Sequence, residues 1–290
     1  MSTYKLKSKL NSAQENPYTV HRAMIQNINL LKPYDRKLVW LTKTPTEAAT
    51  AFLSSGRKFL GSSTKVELGE GFGYLTTVMY LAPARVSGMQ QCAGSTPECV
   101  ANCLFNKSGH ILFHQAGSIL KSWALRFKAK ETKARIEQEL EMHALKAKHK
   151  GLKGAVRLNG TSDILHARLW RSSQALGLEA YEYTKLVTSL RRDDDVFRTY
   201  SISEAPSSVS LGLSLVANGG SAAIVVPAAK AEKKAMLELL TALQIPWTDG
   251  DRHDLCFLDA GKLRVLKAKG IKETAFIWTA DRFARAVSSS

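Results

Sequence analysis

The 290-residue sequence lacks long hydrophobic runs, which excludes a membrane-spanning protein. Its apolar runs, such as AAIVV at 222–226, are far shorter than the ~20 residues that a helix needs to cross a bilayer. Residues 1–20 contain lysines but no apolar segment, so we expect no secretory signal. We therefore expect a cytoplasmic protein with no membrane partner, whose four cysteines are thiols or metal ligands rather than disulfides.

The signatures of several large enzyme classes are also missing. The patterns G-x-S-x-G, H-E-x-x-H and Walker A do not occur. Residues 248–259 contain Asp249, Asp251 and Asp254 but lack the glycine and the terminal glutamate of an EF-hand calcium loop. These aspartates, together with Asp259, are interpreted as a turn whose carboxylates pair with residues 262–270. A magnesium-dependent nuclease built on Asp249, Asp251 and Asp254 is a third, less favoured hypothesis.

Acidic residues are scarce, because 25 Asp and Glu face 41 Lys and Arg and leave a formal net charge of +16. The excess is concentrated in two segments. Residues 1–60 hold ten basic and three acidic residues, and residues 115–154 hold ten basic and four acidic residues. Such clusters are typical of a polyanion-binding surface, so nucleic acid is the partner we expect. The alternative is that the charge only keeps the protein soluble.

Each basic segment contains a predicted helix. Thr44, with Pro45 after it, predicts the start of a short helix that Gly56 ends. A long helix with one apolar face is predicted from about residue 111 to residue 149. Its other faces carry the lysines that we expect to contact substrate phosphates: Lys128, Lys130 and Lys133.

Strand and helix patterns alternate from Tyr74 onward. A run rich in β-branched and aromatic residues predicts a first buried strand, and short apolar strands then alternate with helices. This order predicts an α/β fold, either an incomplete parallel (β/α) barrel or an open parallel sheet with outer helices. Residues 1–60 are predicted to form a basic, partly helical N-terminal arm. Residues 61–290 are predicted to form the α/β core, with the cysteines after its first strand.

Polar side chains follow four of the predicted strands. They are the cysteine loop at 92–103, residues 159–163, Lys185, and Glu204 with its neighbour Ser203. Because reactive groups of parallel α/β proteins gather at the carboxyl ends of the strands, we expect a ligand site there. Lys185 and Lys269 are the predicted contacts to an anionic substrate, with a solvated surface lysine as the alternative for Lys185.

Three cysteines lie in one loop with the spacing C-x6-C-x3-C: Cys92, Cys99 and Cys103. A structural zinc site needs four ligands, and Cys256 or His110 would have to supply the fourth. An iron–sulfur cluster also takes thiolates, and three cysteines would leave one iron of a 4Fe-4S cluster open to a substrate or cofactor. The remaining interpretation is three thiols without a metal. Cys256 lies in an apolar run predicted as a strand, so we expect it in the core.

The segment RLNGTSDI at 157–164 follows a predicted strand. Gly160 allows close backbone approach, and Asn159, Ser162 and Asp163 offer groups for the ribose or amino-acid part of a cofactor. The alternative is that Ser162 or Asp163 caps the next helix.

Four motifs occur in the order of a known family. They are GYLTTVMYLAPARVSGMQQCAGSTPECVANC, RLNGTSDI, YEYTK and DGDRHDLCFLD followed by LKAKG. Together they resemble the bacteriophage family called gene product eighty-eight, over about residues 61–270. The resemblance implies a phage protein in the cytoplasm of a bacterial host cell. It also implies that Cys256 is not a ligand, because the family pattern often has a charged residue there.

A more distant resemblance is to radical S-adenosylmethionine enzymes, in which three cysteines after the first strand of a partial parallel barrel hold a 4Fe-4S cluster. That family usually has the spacing C-x3-C-x2-C, from which this sequence departs. The resemblance implies S-adenosylmethionine as a cofactor. The first hypothesis is therefore a phage iron–sulfur enzyme of this type acting on nucleic acid or nucleotides. The second is a non-enzymatic, replication-associated DNA- or RNA-binding protein whose cysteines bind zinc or nothing.

Overall fold

The computed structural model describes residues 16–107, 115–269 and 277–288. Eight strands of these residues form one sheet. The strands are β1 Leu60–Gly61, β2 Tyr74–Met79, β3 Lys153–Arg157, β4 Glu179–Thr184, β5 Phe197–Ser201, β6 Ser221–Val226, β7 Trp247–Asp249 and β8 Leu263–Lys267.

The helices flank and connect these strands. They are α1 Pro17–Gln26, α2 Pro33–Trp40, α3 Pro45–Ser54, α4 Thr64–Glu67, α5 Pro97–Ala101, α6 Leu104–Lys107, α7 Gln115–Phe127, α8 Ala129–His149, α9 Ala167–Ala175, α10 Val187–Leu190, α11 Pro206–Ala217, α12 Lys230–Ala242 and α13 Ala280–Ser288. Three further segments, Ile28–Leu30, Leu68–Phe72 and Cys256–Asp259, are short 3₁₀ helices. Within the described ranges, none of these helices is long and apolar enough to cross a membrane.

The sheet is open, with the strand order β1-β2-β3-β4-β5-β6-β8-β7. All neighbours pair in parallel except β1, which pairs with β2 in the antiparallel direction. The predicted α/β fold and its open-sheet alternative are therefore confirmed, whereas the barrel alternative is not. Because β2 to β6 are adjacent in the order of the chain, right-handed crossovers place their connecting helices on one face of the sheet.

The two faces of the sheet carry different side chains. On β3, Val156 belongs to the main core beneath the helices, while its neighbour Ala155 belongs to a separate small cluster with Tyr181, Leu255 and Cys256. This alternation is the two-residue period of a strand. The 3₁₀ helix that contains Cys256 therefore covers the face opposite the connecting helices. A strand was predicted for this segment, and that prediction was wrong, although the predicted burial of Cys256 is confirmed.

Residues 16–54 form three helices that are part of the main core. Asn16 and Thr44 cap α1 and α3 with their side chains, and a proline follows each cap. Val20, Met24 and Phe52 are fully buried in the same cluster as β2 and β3. The basic arm predicted for residues 1–60 is therefore not what residues 16–54 form, and residues 1–15 lie outside the described part of the chain.

The long helix predicted from residue 111 to residue 149 is two helices, α7 and α8. They meet at Lys128, whose φ of −132° and ψ of 47° are not helical. Ile119 and Trp123 of α7 and Ile136 and Leu140 of α8 are buried in the main core. The apolar face was thus predicted correctly, and the break between the helices was not. The start predicted at residues 111–114 lies outside the described residues.

Candidate active site at the carboxyl edge of the sheet

The cysteine loop follows β2 and is fixed at its first cysteine. The Cys92 sulfur accepts a hydrogen bond from the Ala84 amide at 3.3 Å, and its thiol donates to the Thr161 carbonyl at 3.6 Å. Cys92 also forms an isolated parallel bridge with Asp163. The cysteine loop and the loop after β3 are therefore joined where their two strands end.

Cys99 is held by the start of α5. The Thr96 hydroxyl accepts a hydrogen bond from the Cys99 amide at 3.1 Å, as an N-cap does, and donates to the Glu204 carboxylate at 2.9 Å. Glu204 follows β5, so this contact ties the cysteine loop to a third strand end. Polar groups were predicted to gather at the carboxyl ends of the strands, which we call the carboxyl edge of the sheet. The structure brings Cys92, Cys99, Asp163 and Glu204 together there.

Asp163 links the end of β3 to the end of β4. Its carboxylate accepts hydrogen bonds from the Thr184 hydroxyl at 2.9 and 3.1 Å and from the Lys185 amide at 2.9 Å. Burial raises the pKa of this carboxyl, and these hydrogen bonds oppose the rise. Asp163 is therefore a buried hydrogen-bond acceptor between the ends of β3 and β4.

The Lys185 ammonium reaches across to β5. It donates to the Ser201 carbonyl and hydroxyl, both at 3.0 Å. Burial lowers its pKa, while the nearby Cys99, Glu204 and Asp163 oppose this effect. Lys185 is thus a buried cation among acidic groups, which overturns the alternative of a solvated surface lysine.

Burial disfavours the thiolate form of the two thiols at this edge. Burial raises the pKa of the Cys92 thiol to about 11, and burial also raises the pKa of Cys99, against the effect of Lys185. Each of these cysteines is half-buried, and none of the four cysteines of the chain is in a disulfide. A metal bound here must therefore displace thiol protons, as metals do at thiolate sites.

The third cysteine of the loop takes a different position. Cys103 is half-buried and packs against the main hydrophobic core. Within residues 16–107, 115–269 and 277–288, no group of three or more His, Cys, Asp or Glu side chains is arranged to hold a metal ion. The predicted three-cysteine metal site is therefore not assembled, although two of its members are neighbours. Of the two possible fourth zinc ligands, Cys256 lies in the small cluster on the sheet face, and His110 lies outside the described residues.

The loop at 159–163 is stabilised mainly by hydrogen bonds among its own residues and their immediate neighbours. The Asn159 amide donates to the Ile164 carbonyl at 2.9 Å and to the Glu182 carboxylate at 2.5 Å, and it accepts from the Ser162 hydroxyl at 2.9 Å. A Cβ on Gly160 would lie 2.7 Å from Tyr80 and Val78, so only glycine fits. Asn159, Gly160 and Ser162 thus shape the loop, which leaves Asp163 as the member that faces the other strand ends.

The helix-cap alternative for Ser162 and Asp163 was wrong. The next helix, α9, begins at Ala167, and the residue before it is His166, which makes no capping hydrogen bond with its side chain. Asp163 instead pairs with the end of β4, as described above.

A network of buried charges lies beside the carboxyl ends of the strands, on the face of the sheet that the 3₁₀ helix Cys256–Asp259 covers. The Arg157 guanidinium donates to the Asp254 carboxylate at 3.0 Å and to the carbonyls of Asn159 and Gly160 at 3.1 and 3.3 Å. The Tyr181 hydroxyl donates to Asp254 at 3.1 Å. Burial acts to raise the pKa of Asp254, but Arg157 and Lys65 outweigh burial and hold it below its usual range.

A second buried pair extends this network. Arg264 has no exposed surface, pairs with Asp259, and donates to the His253 carbonyl at 2.7 Å and to the Tyr183 hydroxyl at 3.1 Å. Sequence reasoning missed the pairing of Arg157 with Asp254, whereas the pairing of Asp259 with Arg264 agrees with the expectation that carboxylates of 248–259 pair with residues 262–270. The available signal was an arginine within each of two short apolar strands, because a buried charge requires a partner.

The aspartates considered for a nuclease do not converge. Asp249 and Asp251 both pair with the Lys233 ammonium, at 2.6 and 3.0 Å, whereas Asp254 pairs with Arg157. The interpretation as a turn paired with residues of 262–270 holds in part, since the Lys267 amide donates to Asp251 at 3.0 Å. A magnesium site that joins the three aspartates is therefore not formed.

The predicted phosphate-contacting lysines are dispersed. Lys130 is exposed near the start of α8, with Lys128 and Lys133 half-buried beside it. Lys269 is exposed and lies close enough to Lys65 to lower its pKa, after the larger effect of burial. Lys269 thus lies near the buried charge network, whereas Lys185 lies among the thiols.

The family model described as Gene product 88 matches residues 41–280. The chain belongs to this family. Gene product 88 is a phage family, so the predicted phage origin is confirmed, and the match starts 20 residues earlier than the resemblance over 61–270 suggested. The matched segment contains every strand and every residue of the carboxyl edge, whereas α1 and α2 precede this segment. No curated protein and no solved structure matches the chain.

Proposed function

We propose that this member of the Gene product 88 family is an iron–sulfur enzyme whose reaction takes place at the carboxyl edge of the sheet. In this proposal Cys92, Cys99 and Cys103 hold a 4Fe-4S cluster. The observation that carries it is the position of Cys92 and Cys99 beside Asp163, Lys185 and Glu204, where several strand ends meet. Catalytic groups of parallel α/β proteins gather at this edge.

The type of donor supports iron–sulfur chemistry, and the geometry fits it in part. Thiolates are the ligands that iron–sulfur clusters take, and zinc is the alternative metal for the same donors. Cys92 and Cys99 are already neighbours. Cys103 follows Cys99 by four residues, just beyond α5, and has to turn from the main core to join them.

The residues around the thiols have distinct roles in this proposal. A three-thiolate cluster leaves one iron open, and when bound it would supply an electron to a chelated S-adenosylmethionine. Asp163 and Glu204 would accept hydrogen bonds from amino or hydroxyl groups of this cofactor, in the loop that Asn159, Gly160 and Ser162 hold in shape. Lys185 and the exposed Lys269 would contact the anionic part of a nucleotide or nucleic-acid substrate.

The spectrum of full-length protein purified without oxygen tests this function. We expect a brown protein that contains iron and acid-labile sulfide, with a visible absorption band that changes when S-adenosylmethionine is added. An iron-free, colourless protein would contradict the cluster. An iron-containing protein whose spectrum does not change with S-adenosylmethionine would support the cluster and contradict the binding of this cofactor.

A second function, non-enzymatic nucleic-acid binding by a replication-associated phage protein with zinc or no metal, is favoured by the net charge of +16. Exposed lysines on α8, including Lys130, Lys146 and Lys148, are consistent with it. It predicts binding that weakens steeply with salt and survives replacement of the three loop cysteines by serine. Affinity that does not change between low and high salt would contradict it.

A further inference from the structure

An exposed tryptophan stands at the end of α2. Trp40 is 63% exposed and Leu41 is 77% exposed. Of the other four tryptophans, three are fully buried and Trp247 is half-buried. A large exposed aromatic side chain next to a leucine is the kind of surface that marks a binding site.

A pocket of about 340 Å³ lies beside this tryptophan. Its lining combines apolar and basic side chains and contains no carboxylate. The lining residues are Ile28, Asn29, Arg36, Lys37, Trp40 and Leu41. Residues three and four apart share one face of a helix, so Arg36 and Lys37 line the same pocket as Trp40. The pocket therefore combines a flat aromatic face with two cations.

The positive charge at this pocket is not neutralised by a carboxylate within the described residues. Arg36 donates its hydrogen bonds to the carbonyls of Leu31 and Asn29, both at 2.9 Å, so its position is fixed while its charge remains. Lys37 is exposed. Residues 16–60 contain seven basic and two acidic residues, and both acids are engaged elsewhere. Asp35 pairs with Arg57, and Glu47 accepts from the Lys43 amide.

We propose that this pocket binds single-stranded DNA, with one base stacked on Trp40 and the adjoining phosphates beside Arg36 and Lys37. An unpaired base exposes the ring face that stacking requires, whereas the faces are covered in a duplex. Charge complementarity favours a polyanion. Asn29 is the one lining side chain that can accept a hydrogen bond from a 2′-hydroxyl group, so the pocket offers little with which to select RNA, and DNA is the occupant we propose.

The proposed DNA site is independent of the iron–sulfur cluster. Trp40 precedes the residues that the Gene product 88 model matches, and its pocket contains none of the residues of the carboxyl edge. The site goes beyond the proposed enzyme. It would serve an enzyme that acts on nucleic acid and a non-enzymatic binding protein equally.

The test is a titration of the full-length chain with a fluorescently labelled oligothymidylate, followed by anisotropy and by tryptophan emission. We expect the oligonucleotide to quench the emission, and Trp40→Ala to weaken binding about tenfold, the loss of one stacked base. Trp40→Phe should retain part of the affinity. Leu243→Ala, at a 42% exposed position at the end of α12, is the matched control and should bind like the wild type.

Two further variants test the phosphate contact of Lys37 and the independence of the DNA site from the loop cysteines. Lys37→Gln should reduce the slope of log affinity against log salt by about 0.7, the loss of one phosphate contact with a single strand. A Cys92→Ser, Cys99→Ser, Cys103→Ser triple variant should bind DNA like the wild type. An iron-free wild-type protein that still binds DNA would contradict the proposed enzyme without affecting the DNA site.

Three results would overturn the proposal. One is equal binding by Trp40→Ala and wild type, and another is an oligouridylate that binds more than tenfold tighter than the DNA. The third is a wild-type chain whose Trp40 emission, obtained by difference from Trp40→Phe, is inaccessible to acrylamide before DNA is added. That result would show that a segment of the chain or a second copy already covers the pocket.

Discussion

Arg264 is a fully buried cation whose charge is balanced by Asp259. Arg264→Leu leaves that carboxylate buried without a cation, and we expect the free energy of unfolding to fall by about 3–5 kcal/mol. Urea unfolding measures the change. The double variant with Asp259→Leu should recover part of the loss, because it removes both charges.

An exposed ion pair provides the control for Arg264. Lys234 and Glu238 are 3.6 Å apart and 76% and 66% exposed, so Lys234→Ala should cost less than about 1 kcal/mol. Equal effects of Arg264→Leu and Lys234→Ala would show that the buried pair does not stabilise the fold.

His166 makes the stability of the fold depend on pH. Its imidazole is buried, its Nε2 has no hydrogen-bond partner in the described part of the chain, and burial lowers its pKa to about 3. An unfolded histidine has a pKa of about 6.5. Between these values the unfolded chain binds a proton that the folded chain does not, so the stability decreases as the pH falls.

The expected contribution of His166 is a loss of about 1.4 kcal/mol for each pH unit below 6.5, until the pH nears 3. Urea unfolding at pH 7 and pH 5 measures it. His166→Leu should lower this dependence by about that slope, and His149→Gln, which replaces an exposed imidazole at the end of α8, is the control. An unchanged pH dependence in His166→Leu would contradict the assignment.

For single residues, the sequence predicts which side chains belong to the site better than it predicts their interaction partners. Asp163 and Glu204 were predicted because each follows a short strand, and a strand end is a local property. The pairing of Arg157 with Asp254 joins positions 97 residues apart, so it depends on the tertiary fold. The position of Cys103 was missed for the same reason, since a spacing in the sequence does not show which thiol faces the core.

Gly88 fixes the start of α1 on the rest of the fold. Its φ is +78°, and a Cβ there would lie 2.2 Å from the carbonyl carbon of Asn16. Gly88→Ala should therefore displace α1 and expose Val20 and Met24. We expect a loss of at least about 3 kcal/mol in the free energy of unfolding and faster tryptic cleavage at Arg22.

The matched control for Gly88 is Gly56. Its φ is +68°, and nothing lies within 4 Å of a Cβ added there. Gly56→Ala should cost only the backbone strain, about 1 kcal/mol. If Gly88→Ala costs no more than Gly56→Ala and leaves the cleavage at Arg22 unchanged, then the contact with Asn16 does not hold α1 in place.

Helix starts were easier to predict than helix packing. Thr44 and Pro45 are local signals, and α3 starts where they predict. The packing of α1 depends on contacts such as the His21 ring with the Thr42 hydroxyl and with the tilted Trp123 ring of α7. Those contacts are not visible in the sequence, so residues 16–54 read as an arm.

In the described part of the chain, the helices that connect β2 to β6 cover one face of an open sheet. The strand ends carry two thiols, a lysine and two carboxylates. The alternation of strands and helices was enough to predict the fold class and the edge. The pairing of the strands decided between an open sheet and a barrel, because β1 and β7 lie at opposite edges of the sheet. Both strands were too short to predict from the pattern, at two and three residues. The proposed chemistry takes place at the carboxyl ends of the strands.

The most direct test of this account is the iron bound per chain after anaerobic reconstitution of the full-length protein. The account predicts about four irons per chain in the wild type and in Cys256→Ala, and little in Cys103→Ser, because Cys103 must turn from the core to complete the cluster. An equal iron content in Cys103→Ser and wild type, or none in either, would contradict it.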